Sequence, residues 1–410
     1  MYEHLAKIYY KNQSLHETEY EKRINSYGTI RLPFNIKPHK SNKELSCFYV
    51  NHPELDYLHD QIIKQSKLIR NIMLSENIPG IAIKQYIRAK LIDELMSTNG
   101  IEGVRSTKAE METVLDIIVR KESSVKKKVR HHSLMKSYFS LLNEEYSTIN
   151  SIEQVREVYD NLVLEEIKKD EHLDGALFRS QPVDVVTETG RVIHKGVFPE
   201  SSINSHLINM INYLNHDNSP ALYKVAIAHY YFGYIHPFYD GNGRTSRFIS
   251  SMYLKEELDI LTSLSLSYST YKSQDNYYDA FLVCNNPLNM GELTYFCEVF
   301  FEIIYRAQSN ILEELSQKQA KMEQLELLIQ SLNFKDKNCM NILYILGQNY
   351  IFGIEGKGLT KNELISATSK TAYLVRNALE NLLQEGYIEY LSRRPIESTL
   401  SEKLRVLLDN

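Results

Sequence analysis

Cysteine is scarce: the chain has only four, Cys47, Cys284, Cys297 and Cys339, and no two form a C-x-x-C pair. Four scattered thiols read as free cysteines in a reducing compartment. No run of about 18 apolar residues occurs, so a membrane-spanning helix is excluded and no membrane partner is expected. The N-terminal Met1-Tyr2-Glu3-His4-Leu5-Ala6-Lys7 lacks a basic segment followed by an apolar core, so it is not a secretory signal. A cytoplasmic location is the expectation. No sign of charge dominates either. The formal net charge of −5 argues against a chain that coats nucleic acid along its whole length, while leaving room for one small basic module. Two phosphate-binding loops are missing as well: there is no G-x-x-x-x-G-K-[ST] run and no G-x-G-x-x-G.

What is present fits a globular protein. The 410 residues are 43% hydrophobic and 24% charged, enough for two or three domains. Helical periodicity dominates. Ile83, Ile87, Leu91 and Leu95 recur every fourth residue, and Val155, Val158, Tyr159, Leu162 and Val163 form a second apolar face. Ala221 to Ile235 is apolar nearly all round, which predicts a helix buried in a domain centre. Strand-like alternation is scarce; its best candidate is Val183–Phe198, where Thr187-Glu188-Thr189-Gly190 is suited to turn a hairpin.

The composition divides the chain into four stretches. Residues 1–75 are polar, contain Pro33, Pro38 and Pro53, and read as helical and partly irregular structure laid over a helical body. Residues 76–310 carry the main helical domain, and residues 311–335, rich in Glu, Gln, Lys and Leu, read as a linker helix. Residues 336–410 predict a winged helix-turn-helix. A helix over Met340–Tyr350 precedes the capping box Thr360-Lys361-Asn362-Glu363, two more helices and a strand after Gly386. Such a module can place Lys370, Tyr373, Arg376 and Asn377 in a DNA groove, or serve protein contacts alone. Arg120–His132 is strongly basic and reads as a solvated helix end or loop; His131 and His132 lack the spaced partners of a zinc site and are expected at the surface. The fold class is therefore all-α with a small β-hairpin, plus the C-terminal winged module.

Chemistry concentrates in His236-Pro237-Phe238-Tyr239-Asp240-Gly241-Asn242-Gly243-Arg244-Thr245-Ser246-Arg247. Gly241 and Gly243 allow main-chain N–H groups to converge on an anion. Thr245-Ser246-Arg247 begins a helix whose N-terminus favours phosphate. Arg244 and Arg247, three apart, can flank a ligand, and Asp240 offers a hard oxygen to a magnesium ion. His236 precedes the loop, where a neutral imidazole can take a proton from a hydroxyl. Phe238 reads as an anchor into the core. A structural turn with an ordinary buried histidine would not need this combination.

The segment resembles the signature of the Fic family, H-P-F-x-[DE]-G-N-G-R-x-x-R, at every fixed position, and the similarity extends over residues from about 80 to 305. The resemblance implies a compact helical bundle and transfer of AMP from ATP to a Ser, Thr or Tyr hydroxyl of a target protein. It implies that His236 is the general base and that Asp240 holds Mg2+. Gly241, Asn242 and Gly243 would cradle the inner phosphates. Arg244 and Arg247, with Thr245 and Ser246 beside them, would complete the phosphate site. The hairpin is similar to the family's flap, which holds a target segment by strand addition, with Ile193, His194, Lys195 and Gly196 as its nucleotide-facing edge. Tyr277, Tyr278 and Asn285 resemble the adenine pocket.

A second element, Thr98-Asn99-Gly100-Ile101-Glu102-Gly103, resembles the family's inhibitory motif [ST]-x-x-x-E-[GN]. A carboxylate mimics a γ-phosphate for an arginine fork, so Glu102 is expected to pair with Arg247 and block productive ATP binding. Gly100 is expected to loosen the helix locally. The resemblance also admits self-modification, a homodimer, and removal of AMP at the same site with Glu102 orienting water. The phosphorylating Doc branch carries lysine where this chain has Gly243. A regulator that senses nucleotide and binds DNA through residues 336–410 is the alternative from another class.

Overall fold

The computed structural model describes residues 2–75, 78–119, 129–143, 148–186, 189–332, 334–393 and 395–409. It consists of two compact units: residues up to 66 with 92–308, and residues 67–91 with 309–409. Helices take most of both, and among the described residues the strands form three small sheets. Among the described residues no helix is long and apolar enough to cross a membrane. All four cysteines are buried and free.

The first unit opens with α1 (Leu5–Lys11) and α2 (Gln13–Ile24), then an antiparallel pair of β1 (Thr29–Ile36) and β2 (Leu45–Val50), and the start of α3 (Pro53–Leu74). The proline-bearing stretch is mostly regular, with an irregular segment over residues 37–44 that carries Pro38. Pro33 falls in β1 where the pairing register shifts, between Arg31 and Asn35, and Pro53 is the first residue of α3, two positions that tolerate a missing N–H. The N-terminal helices are pinned by Glu292, which is buried and accepts from Arg23 at 2.8 Å and from Tyr2.

The C-terminal half of α4 (Gly80–Ile101) enters this unit, followed by α5 (Lys108–Val119), α6 (His132–Leu142) and α7 (Ile152–Leu162). Val155, Val158, Tyr159, Leu162 and Val163 are all buried, as their spacing predicts. The basic run and the hairpin turn cannot be placed in full, because residues 120–128 and Thr187-Glu188 lie outside the described residues. The flap is shorter than the sequence suggests. β3 (Asp184–Val186) pairs with β4 (Val192–Lys195), with Asp184 opposite Lys195 and Val185 opposite His194.

Next come α8 (Glu200–His216), α9 (Ala221–Ile235) and α10 (Asn242–Glu257). α9 is buried on nearly every side, as an all-apolar helix must be, and it packs against both α8 and α10. The short helices α11 (Ile260–Ser263), α12 (Leu266–Lys272) and α13 (Gln274–Cys284) precede α14 (Thr294–Ser331). The expected linker helix is not a separate element; it is the continuation of α14.

The second unit contains the rest of α14, then α15 (Lys337–Phe352), β5 (Leu359–Thr360), α16 (Lys361–Thr368), α17 (Ala372–Gln384), β6 (Ile388–Arg393), β7 (Ile396–Leu400) and α18 (Glu402–Asp409). Thr360 and Glu363 form the reciprocal capping box that starts α16. The three strands form one antiparallel sheet in the order β5-β7-β6. Tyr86 and Lys90 of α4 both bond Glu314 of α14 within this unit, at 2.7 and 2.8 Å.

Candidate active site

The loop between α9 and α10 is built from a tight set of local constraints. His236 caps the C-terminus of α9 in the left-handed conformation, φ 52°, and its amide donates to the Phe232 carbonyl at 2.9 Å. Phe238 is fully buried and stacks on Tyr159 with ring centroids 3.8 Å apart, which anchors the loop as expected. The Asn242 side chain closes the loop on itself. Its Oδ1 accepts from the Phe238 amide at 3.0 Å and its Nδ2 donates to the Phe238 carbonyl at 2.8 Å. Gly241 caps α10 at φ 80°, a conformation that penalises any side chain. The main-chain N–H groups of Asn242, Gly243 and Arg244 then open α10 with no carbonyl a turn earlier to accept from them. They form the positive end of the helix.

The His236 imidazole is held neutral. Burial dominates, with His194 and Arg179 nearby adding to it, and the Gly233 carbonyl opposes it weakly; the result is a pKa pushed down to about 3. A neutral imidazole is the form that accepts a proton.

Glu102 lies at the open end of α10. Its Oε1 accepts from Arg247 Nη2 at 2.7 Å. The same arginine donates through Nε to Thr98 Oγ1 at 3.0 Å and through Nη2 to the Thr98 carbonyl at 3.1 Å. Arg247 is buried, which alone would lower its pKa, yet the Glu102 carboxylate raises it above the usual value. A Cβ on Gly243 would run into Glu102 Oε1 and approach Arg247 Nη1 at 2.9 Å, so the carboxylate rests directly against the first turn of α10. Glu102 stands where α4 stops. Val104 N–H donates to the Asn99 carbonyl at 2.9 Å and Gly103 N–H to Gly100 at 3.1 Å, with Gly103 at φ 69°: a Schellman close that needs glycine there. Gly100 does not loosen the helix; α4 runs through it, with the Tyr271 ring alongside.

Several expected roles are redistributed. Arg244 does not point with Arg247 toward one ligand. Its Nη1 pairs with Glu166 at 3.2 Å and its Nη2 with Asp240 at 3.4 Å, while its buried Nε has no acceptor among the described residues. His131, expected at the surface, is buried with Nδ1 3.0 Å from Glu166, so it belongs to the same network. The Thr245 hydroxyl donates to the Gly241 carbonyl at 2.8 Å, and Ser246 Oγ lies 3.2 Å from His229 Nδ1. Thr245 thus closes on the start of its own helix and Ser246 reaches across to α9. His194 is not an edge residue: it is buried, with Nε2 2.6 Å from the Tyr234 carbonyl. Alternation along the strand explains this, since Ile193 and Lys195 face the other way.

Tyr277 is buried with its hydroxyl 2.8 Å from His229 Nε2, and Asn285 Oδ1 accepts from Tyr230 at 2.8 Å. Tyr278 remains partly exposed, with its hydroxyl 3.4 Å from the Ile101 carbonyl, next to Glu102. Asp240 Oδ1 accepts from the Gly241 amide at 2.6 Å. Among the described residues no group of three His, Cys, Asp or Glu side chains could hold a metal by itself. A lone carboxylate suits magnesium, which keeps waters and takes other oxygens from phosphates. In the second unit Tyr373 is exposed, and Arg376 lies over its ring while facing Glu380 at 3.8 Å.

Arg179, Glu166 and Glu94 escaped the sequence reading. No motif along the chain marks them; Arg179 and Glu94 stand out by burial and Glu166 by its pairing with Arg244 and His131.

Residues 149–254 match the model of the Fic/DOC family. A Fic family protein from Desulfovibrio desulfuricans G20 is similar over 86% of this chain and 98% of its own, at 16% identity and a TM-score of 0.54, which supports a shared fold. A Fic domain containing signaling protein from Bacteroides thetaiotaomicron covers 63% of this chain and 94% of its own, at 15% identity and TM-score 0.43. Fic-1 from C. elegans covers 64% of this chain and 73% of its own, at 18% identity and TM-score 0.42. This chain carries a Fic/DOC-family domain.

Proposed function

We propose that the chain is a protein adenylyltransferase held in check by Glu102. The observation that carries the reading is the Glu102 carboxylate at the N-terminus of α10, bonded to Arg247 at 2.7 Å and resting against Gly243. An acidic group at a helix N-terminus beside a buried arginine occupies the ground that a phosphate would take.

In the proposed reaction the target hydroxyl gives its proton to His236 as its oxygen attacks the α-phosphorus of ATP. The bond from the α-phosphorus to the bridging oxygen breaks, and pyrophosphate leaves. The N–H groups of Asn242, Gly243 and Arg244 face the phosphates, and Arg244 Nε is a buried donor still open to a phosphate oxygen. Asp240 would hold magnesium, which supplies charge neutralisation for the leaving pyrophosphate. The target segment would lie along β4. Absence of a side chain at Gly243 separates this site from the phosphorylating branch.

The test uses the full chain with Glu102→Gly, a cell extract, and ATP labelled on the α- or the γ-phosphate. AMP transfer labels a protein only from the α position. Labelling from γ alone would make the chain a kinase, and loss of label from an already modified protein in wild type alone would favour AMP removal.

A further inference from the structure

We propose that Arg179 is a positioning residue that holds the flap and His236 in one frame, so that a hydroxyl presented by the flap arrives at the imidazole. The proposal rests on the reading of His236 as the base. Arg179 is completely buried, and among the described residues its guanidinium hydrogen bonds go to main-chain carbonyls and not to a carboxylate. A buried cation without a counter-charge is costly and needs hydrogen bonds to persist. Burial accordingly lowers its pKa to about 10.

Its partners explain its presence. All are main-chain carbonyls, and they come from the two parts of the site that must meet. Nε donates to His236 at 2.9 Å, and Nη2 reaches Ile235 at 3.5 Å. Nη1 donates to Gln181 at 2.7 Å and Nη2 to Val197 at 2.6 Å. Gln181 enters the flap and Val197 leaves it. One guanidinium therefore ties both ends of the hairpin to the residue that carries the imidazole. The Arg179 amide adds a bond to the Pro237 carbonyl at 3.3 Å.

Two further features fit this clamp. His236 is a non-glycine residue in the left-handed region, a conformation that costs free energy and survives where its surroundings over-determine it. Its carbonyl is fixed by Arg179 and its amide by Phe232. Gly196 gives the guanidinium its room: a Cβ there would collide with Nη2 and come within 3.2 Å of His236 Cβ. Lysine cannot replace this arrangement, because one ammonium lacks the planar fork that reaches separate carbonyls at once.

The experiment compares Arg179→Lys and Arg179→Met, each in the Glu102→Gly background, by transfer of α-label from ATP. Both variants should lose on the order of 10- to 100-fold in kcat, the cost of a positional error of about 1 Å, with KM for ATP unchanged within about twofold. Loss of fold would lower apparent kcat in the same way, so the folded fraction of each variant is measured by urea unfolding and kcat is expressed per folded enzyme. Hydrogen exchange gives a reading independent of activity: the Gly196, Val197 and His236 amides should lose protection while those inside α9 keep theirs. Full kcat in Arg179→Lys overturns the clamp. If Glu102→Gly itself transfers no AMP, the functional reading fails, and unchanged exchange at those three amides would then overturn the positioning role by itself.

Discussion

The Glu102 carboxylate and the Arg247 guanidinium, 145 positions apart in sequence, meet at 2.7 Å over the first turn of α10. Thr98, one helical turn before Glu102, holds the same guanidinium from the other side. Removing the carboxylate by Glu102→Gly should raise α-label transfer by about 10- to 100-fold, the scale of correcting a misaligned reactant. The double variant Glu102→Gly with Arg247→Ala should lose the gain, because the freed arginine is its cause. A single variant no faster than wild type would make Glu102 a helix-end residue and nothing more.

His236→Ala should reduce transfer by roughly 10²- to 10⁴-fold, the usual worth of a positioned proton acceptor. The pH dependence follows from its environment. With a pKa pushed down to about 3, the imidazole is already neutral at pH 5, so activity should show no acid limb centred near the ordinary histidine value of about 6.5. A half-maximal rate near pH 6.5 that disappears in His236→Ala would show that the imidazole becomes solvated during turnover.

Asp240→Ala should raise the magnesium concentration needed for half-maximal transfer, and chelation of divalent cations should stop wild type. In the proposed transfer, the leaving pyrophosphate carries more negative charge than Arg244, already paired with Glu166, balances alone. Titration of magnesium in both proteins checks this; identical curves would remove Asp240 from the metal site.

Glu94 is a buried carboxyl that caps α12. Both its oxygens accept from the Ser267 amide, at 2.9 and 2.8 Å, and Oε2 also accepts from Tyr268 at 3.1 Å. Burial outweighs these bonds and lifts its pKa to about 7. A carboxyl raised on folding favours the native state fully below its unfolded pKa of about 4.3, and that contribution is lost as pH rises through 7. Wild type should therefore lose stability relative to Glu94→Gln between about pH 4.3 and 7 and run parallel to it above. Urea midpoints for both proteins across this range decide the matter; parallel curves throughout would show that Glu94 is ionised in the native state at acid pH.

The sequence by itself determined whatever depends on neighbours along the chain. His236 to Arg247 could be read because a helix end, a glycine turn and a new helix N-terminus follow one another within twelve positions. The apolar faces of α7 and α9 and the capping box at Thr360 are local in the same sense, since a period of 3.6 residues or a three-residue offset fixes them. Resemblance to a known motif extended this to Glu102, but the contact with Arg247 required the fold. Tertiary structure decided which charges were already spent. Arg244 looks free in sequence and is engaged by Glu166, 78 positions away; His131 looks exposed and is buried against the same carboxylate; His194 turns inward to Tyr234. Arg179 reaches carbonyls up to 57 positions distant. Burial makes an unpaired polar group expensive, so each of these side chains finds a partner. That partner is set by which elements pack together, and no spacing along the chain encodes it.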